Sequence, residues 1–169
     1  GAEDRLETHR KRGKLTVRER LAAFVGEESF QEIGRLSGTA VYEDDELVDF
    51  TPASTIIGIG DLGGRKVVIN ASDFTVRGGI PGKAVHVQQL ALDWRLPYVR
   101  ILDAVGGSVK TFETLGRTYI PVNPGTPGIE KLLCQSPVVS AALGSVAGLP
   151  AVEACLAHFN VMVKGVSQV

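Results

Sequence analysis

Three short apolar runs, Lys66 to Ile69, Pro97 to Leu102 and Pro137 to Leu143, most narrow the folds open to this chain. Between the first two, Ala84, Val85, Val87, Leu90, Ala91 and Trp94 recur at helical spacing. The pattern ends at Leu96-Pro97, since the residue before a proline is pushed out of the helical region. Between the second and third runs, a short helix is expected near Ile129 to Cys134. A strand, a crossover helix and a further strand in succession place the strands parallel in one layer, and strands apolar along their length are covered on both faces. The chain therefore reads as α/β, with the three runs as buried strands of that layer.

Residues 57–64, IGIGDLGG, place Gly58, Gly60 and Gly63 at the G-x-G-x-x-G spacing of a dinucleotide loop. That fingerprint needs a helix to leave the glycines, because the helix N-terminus attracts the phosphates. The segment that leaves them here is Arg65 to Asn70, a β-branched run that reads as a strand. About 20 residues after Gly58, where an acidic residue would meet a ribose, stands Arg77-Gly78-Gly79. Thr55 to Gly60 and Arg65 to Asn70 are expected to form a hairpin about the turn Asp61-Leu62-Gly63-Gly64.

Nearer the N-terminus, a basic run from His9 to Lys14 is followed by Thr16 and, three residues on, Glu19. The Thr/Glu pair is a capping box, which predicts a helix from Val17 to Phe24 with Leu21, Ala22 and Phe24 inward. The basic run has two readings: a solvated helix face, or a dock for the phosphates of a nucleotide-bearing ligand. With 18 basic and 19 acidic residues the net charge is −1, so no general attraction to nucleic acid is expected. No apolar stretch reaches the ~18 residues of a membrane span and no signal peptide opens the chain, so no membrane insertion is expected. Cys134 and Cys155 stand far apart and outside any metal-binding spacing, which leads us to expect buried thiols, a reducing compartment and no metal site. The chain opens on Gly and closes in what reads as continuing structure, so a piece of a longer protein is expected.

Two of the strands end in small-residue loops, at Val105 to Ser108 and at Ser145 to Leu149. The second leads into a helix expected over Ala151 to Ala157, with Pro150 in its first turn. Neither loop carries a nucleophile beside a base. Glycine lets a ligand approach the backbone closely, and a helix beginning after Gly148 aims N–H groups and its dipole at that ligand. Buried donors so placed suit an oxyanion hole for a thioester enolate; the other reading is a pair of tight strand-to-helix turns. His86, in a helical pattern, and His158, at a helix end, read as structural or surface residues, and Cys155 as core.

The stretches KRGKLTVRERL, SFQEIG, IIGIGDLGGRKVVINASDFTVRGG, RLPYVRILDAVGGSVKT and GSVAGLPAVEACLAHFNVMVKGVSQV come one after another in an order that resembles a known family. It is the carboxyltransferase (β) subunit of biotin-dependent acyl-CoA carboxylases, of the propionyl-, methylcrotonyl- and acetyl-CoA type. The resemblance covers nearly the whole chain and implies a crotonase-like fold, a superhelix of ββα units. This chain would be an incomplete N-terminal domain, with a helical arm over 1–36 and the truncated crotonase-like unit over 37–169. The implied reaction moves a carboxyl group from carboxybiotin to the α-carbon of an acyl-CoA. Biotin would sit on a partner carrier protein or domain and a coenzyme A thioester would be the substrate. A biotin carboxylase would be a further partner, and the assembly a homo-oligomer. The implied location is cytoplasmic, or the mitochondrial matrix in a eukaryote, and this piece alone would be inactive.

Position by position, the resemblance assigns Gly106 and Gly107 to one oxyanion loop and Gly148 and Leu149 to a second, where the family usually has two glycines. Leu149 keeps a backbone N–H but brings an isobutyl group that would narrow the acyl pocket. Asp73 to Gly79 matches the segment beside the bound acyl-CoA, which gives Phe74, Arg77, Gly78 and Gly79 as contacts. Lys83 is a further candidate, in a stretch shorter than in many relatives, and the loop Ile120 to Gly128 departs from the commonest members. Two alternatives stay open: the carboxyltransferase subunit of a biotin-dependent acyl-CoA decarboxylase, and a non-catalytic assembly piece. A crotonase-type hydratase or isomerase would need a carboxylate three residues after the oxyanion glycine, where Ala151 stands, with Glu153 too far along. Gly148→Pro and Gly107→Val are expected to lower turnover more than stability.

Overall fold

The computed structural model describes residues 3–80, 85–107, 113–114, 116 and 128–169. Lys83, Ala84, Ser108 and Ile120 to Pro127 lie outside the described residues. Two helices come first, α1 (Glu3–Lys11) and α2 (Val17–Val25). The second starts at the capping box: Thr16 Oγ1 accepts the Glu19 N–H at 3.3 Å, and Glu19 Oε2 accepts the Thr16 N–H at 2.7 Å. Leu21 is buried and Phe24 packs on the same cluster, as the periodicity predicts.

The strands then run β1 (Gln31–Ile33), β2 (Gly38–Glu43), β3 (Glu46–Pro52), β4 (Thr55–Leu62) and β5 (Arg65–Ser72). Next come α3 (Val85–Trp94), β6 (Tyr98–Val105), α4 (Ile129–Gln135), β7 (Val138–Ala147), α5 (Leu149–Cys155) and β8 (Phe159–Met162). One six-stranded sheet has the order β1-β4-β5-β6-β7-β8, and β2 and β3 form a separate exposed pair. β5, β6, β7 and β8 are parallel, joined through α3, α4 and α5, while β1, β4 and β5 pair antiparallel. The three apolar runs are thus adjacent strands of one layer.

The central strands are mostly apolar because their side chains enter a covered layer on either face. Val67, Ile69, Ala71, Val99 and Ile101 meet Val17 and Leu21 of α2 on one side. Val68 and Tyr98 meet Val87, Ala91, Ile129 and Leu132 of α3 and α4 on the other. Each such aliphatic side chain contributes about 1.5–3 kcal/mol relative to exposure.

IGIGDLGG is a hairpin. Leu62 pairs with Arg65, so the strands run on through Asp61 and Leu62 and the turn is only Gly63-Gly64, at φ 61° and 82°. No helix leaves these glycines. Gly58 and Gly60 admit neighbouring elements instead, since an added Cβ would lie 2.3 Å from the Gln31 carbonyl oxygen and 2.9 Å from Val25.

Several expectations are corrected. β7 continues to Ala147, so Ser145 to Ala147 is strand rather than loop, and α5 occupies Leu149–Cys155 rather than Ala151 to Ala157. Both cysteines are exposed, not buried. α5 turns Pro150 and Ala154 inward, which carries Cys155, one position on, round to solvent; α4 buries Ile129 and Leu132, which leaves Cys134 outside. Among the described residues no helix is long and apolar enough to cross a membrane.

Candidate active site

Because β6 and β7 are parallel neighbours, their C-terminal ends reach the same edge of the sheet, where Val105 pairs with Ala147. Just beyond, the two glycine ends touch backbone to backbone. An added Cβ on Gly106 would lie 2.8 Å from the Leu149 nitrogen, and 2.9 Å from both the Gly148 Cα and the Ala147 oxygen. One on Gly148 would lie 3.0 Å from the Gly106 Cα. Gly107 differs, because among the described residues its Cβ would meet nothing within 4 Å. The structure therefore brings Gly106, Gly107, Gly148 and Leu149 together, with the N-terminus of α5 directed at the first loop.

Two expectations about these loops change. Gly148 has φ 69° and ψ −133°, outside proline's range, so Gly148→Pro would break the loop rather than delete one N–H. Gly107 and Gly148 are exposed and Gly106 and Leu149 half-buried, so the burial expected around the donors is not supplied by the described residues.

The Asp73 to Gly79 segment packs on the same strand end. An added Cβ would place Gly78 2.8 Å from Val105 Cγ2 and Gly79 2.5 Å from the Asp103 oxygen, and both residues have positive φ, 67° and 69°. Arg77 also has positive φ, 50°, a conformation costly for a side chain with a Cβ, and its side chain is exposed. Phe74 is half-buried, its ring stacked 6.3 Å from His9 with the Lys14 ammonium 5.3 Å from its centroid. A cleft lined by Arg5, Thr8, His9, Arg12, Phe74 and Thr75 opens beside it.

Neither reading of the basic run holds for all of it. Arg10 and Lys11 are solvated and paired with Glu19 and Glu7, and Arg12 lines the cleft, but His9 and Lys14 turn inward. They converge with Arg20 on Asp103, which is 0% exposed. Arg20 Nη2 donates to Asp103 Oδ2 at 2.8 Å, Lys14 Nζ stands 3.4 Å from Oδ1, and His9 Nε2 is 3.9 Å from Oδ2. His9 Nε2–H donates to the Leu15 carbonyl at 3.1 Å. Burial holds its pKa below the ordinary 6.5, against a partial pull upward from that carbonyl and from Asp103. Sequence reasoning missed this cluster, although a lone aspartate ending an apolar strand signals a need for buried cations.

Arg100 is a second omission. It is buried in mid-β6, and its Nη1 donates to the carbonyls of Glu153 and, at 3.1 Å, Leu156, which caps the C-terminus of α5. Its guanidinium lies 5.2 Å from the Tyr98 ring centroid. The histidines fall as expected. His86 is exposed on α3. His158 accepts the Val138 N–H on Nδ1 at 3.0 Å and donates from Nε2 to the Leu133 carbonyl at 2.9 Å, which occupies both ring nitrogens.

Residues 8–169 match the family described as the carboxyl transferase domain. The chain is 32% identical to the methylmalonyl-CoA decarboxylase subunit alpha of Veillonella parvula, over 99% of this chain and 34% of that protein. It is 28% identical to the propionyl-CoA carboxylase carboxyltransferase subunit of Haloferax mediterranei, over 99% and 33%. Among solved structures it resembles transcarboxylase 12S, described as a hexamer, with TM-score 0.72 at 26% identity over 95% of this chain and 32% of that one. It also resembles a single-chain, multi-domain long-chain acyl-CoA carboxylase, with TM-score 0.78 at 25% identity over 94% and 17%. The fold is the crotonase-like α/β class, present in part, and the chain spans about a third of the length of the curated relatives it matches.

Proposed function

We propose, because the chain belongs to the carboxyl transferase domain family, that a protein carrying it is the carboxyltransferase component of a biotin-dependent acyl-CoA carboxylase. The observation that carries this reading is the backbone contact of Gly106 with Gly148-Leu149 at one sheet edge. In it, the N–H groups of Gly106, Gly107, Gly148 and Leu149 hold the oxygen of a thioester as it becomes an enolate, so the α-carbon turns nucleophilic without an acidic or basic side chain. The open space at Gly107 admits the thioester to the backbone. Phe74, Arg77, Gly78, Gly79 and Lys83 line the acyl-CoA, and Leu149 limits the size of its acyl group. Biotin, when presented by its carrier, supplies the carboxyl group and takes up the α-proton. That division suits a site whose described histidines are exposed or already engaged.

The partners in this reading are a biotin carboxylase and a biotin carrier, in a homo-oligomer, in the cytoplasm or a mitochondrial matrix. A second reading, support for which comes from the likeness to a methylmalonyl-CoA decarboxylase subunit, runs the same transfer in reverse. The test is to assay the full-length protein with carboxybiotin-loaded carrier and a panel of acyl-CoAs, tracking labelled carboxyl in both directions. Transfer to at least one acyl-CoA is expected; no transfer either way to any of them would overturn the proposal. Net flow from a carboxylated acyl-CoA to biotin would select the decarboxylase reading.

A further inference from the structure

We propose that Arg20 and Asp103, with Lys14 beside them, are positioning residues that aim the two glycine loops at each other. In the β6–β7 ladder Leu102 pairs with Ala142 but Ala104 pairs with Val146, so Leu143, Gly144 and Ser145 stand opposite Asp103 alone. A bulge of this kind bends its strand and re-aims the residues beyond it. In β7 those residues are Ala147, Gly148 and the start of α5.

The cluster occupies that bulge. Asp103 lies against Gly144, where an added Cβ would come within 2.1 Å of its Oδ1, so the bulge is shaped around the carboxylate. Arg20 Nη2, besides its 2.8 Å bond to Asp103, donates to the Leu143 carbonyl at 3.2 Å. One guanidinium from α2 thus ties together the two strands that lead into the loops, three residues before Gly106 on β6 and five before Gly148 on β7. The far side of the bulge is stitched by Gln168, whose N–H reaches the Gly144 carbonyl at 3.1 Å and whose carbonyl accepts the Val146 N–H at 2.7 Å. A fully buried carboxylate is costly unless its cations stay in place, so the N-terminal arm is fastened to the loops it supports. None of these side chains touches the reacting atoms.

The kinetic half of this inference rests on the proposed carboxyl transfer; the structural half does not. The experiment compares full-length wild type with Arg20→Lys, which keeps the charge but replaces the planar guanidinium whose Nη2 serves Asp103 and the Leu143 carbonyl together. Lys14→Met, at the rim of the cluster, is the milder second variant. For each, kcat and KM are measured beside amide hydrogen exchange at residues 104–107 and 143–149, with 65–71 as control. A loop displacement approaching 1 Å predicts a fall in kcat of about 10- to 100-fold for Arg20→Lys, with KM little changed. Exchange should quicken at both loops while the control holds, and Lys14→Met should show the same pattern more weakly. Unchanged loop exchange, exchange that rises evenly with the control, or a folded variant with wild-type kcat would overturn the proposal. If Arg20→Lys does not fold, Lys14→Met decides by the same criteria. A wild type that transfers no carboxyl sinks the functional reading, and the exchange pattern still decides the positioning claim.

Discussion

The two glycine-rich regions of this chain look alike in sequence and use their glycines differently in structure. In β4, the space left by a missing Cβ is filled by the chain's own neighbours, the Gln31 carbonyl at Gly58 and Val25 at Gly60, while the turn glycines Gly63 and Gly64 stand in open space at positive φ. At the ends of β6 and β7, Gly106 and Gly148 leave room for each other, and Gly107 leaves room that nothing in the described structure fills. Spacing between glycines is therefore a poor guide to use. A filled Cβ place marks a packing glycine and a positive φ marks a turn glycine; Gly107, open among the described residues and without positive φ, is explained by neither.

The largest test of that contrast is Gly106→Val, which drives a branched side chain into the Leu149 nitrogen and the Gly148 Cα. Loss of an oxyanion donor's alignment should lower kcat of the full-length enzyme by about 100- to 1000-fold. A folded Gly106→Val enzyme with near-normal carboxyl transfer would show that the loop contact is packing only. Gly107→Val separates activity from stability more cleanly: with open space around it, unfolding free energy should stay within about ±0.5 kcal/mol while turnover drops. In β4, Gly58→Ala should do the reverse. Its Cβ collides with a backbone oxygen, so denaturant titration should show a loss of about 1–3 kcal/mol, with kcat of the folded enzyme retained. A collapse of kcat there would erase the distinction between the regions.

The smallest effect is a pH response confined to the loop side. Folded His9 titrates below its unfolded value of 6.5, so between the two the unfolded chain binds more protons and stability rises with pH. Its contribution is complete above about 6.5 and is lost as pH falls through the folded value. Asp103, Arg20 and Lys14 are the charged groups facing it. Acidification from pH 7 toward 5 should therefore speed amide exchange at residues 104–107 before residues 57–64, and His9→Gln should flatten that response.

Periodicity was enough to place the parallel strands, the crossover helices, the hairpin and the capped α2, because each is governed by contacts close in sequence or by simple alternation. The meeting of Gly106 with Gly148 is a consequence of β6 and β7 being parallel neighbours. The bulge in β7 was illegible, since Leu143-Gly144-Ser145 differs from an ordinary strand end only through Asp103 across the ladder. Arg20 and Arg100 were passed over for a similar reason: their partners lie 83 and 53 residues away. Cys155 reads as core by residue type, but Pro150 and Ala154 take the inward face of α5 and leave it in solvent. The exposure of the glycine loops depends on what covers the sheet end, which local patterns do not encode.

Arg100 gives α5 the mechanics of a short lever. One end is clamped at the Glu153 and Leu156 carbonyls, and the other carries the Leu149 nitrogen against Gly106. Seven residues make a rod roughly 10 Å long, so a tilt of about 5° at the clamp moves the far end by nearly 1 Å. In the proposed carboxyl transfer that displacement misplaces a donor, worth about 100-fold in rate, with no contact between substrate and the guanidinium that sets the angle.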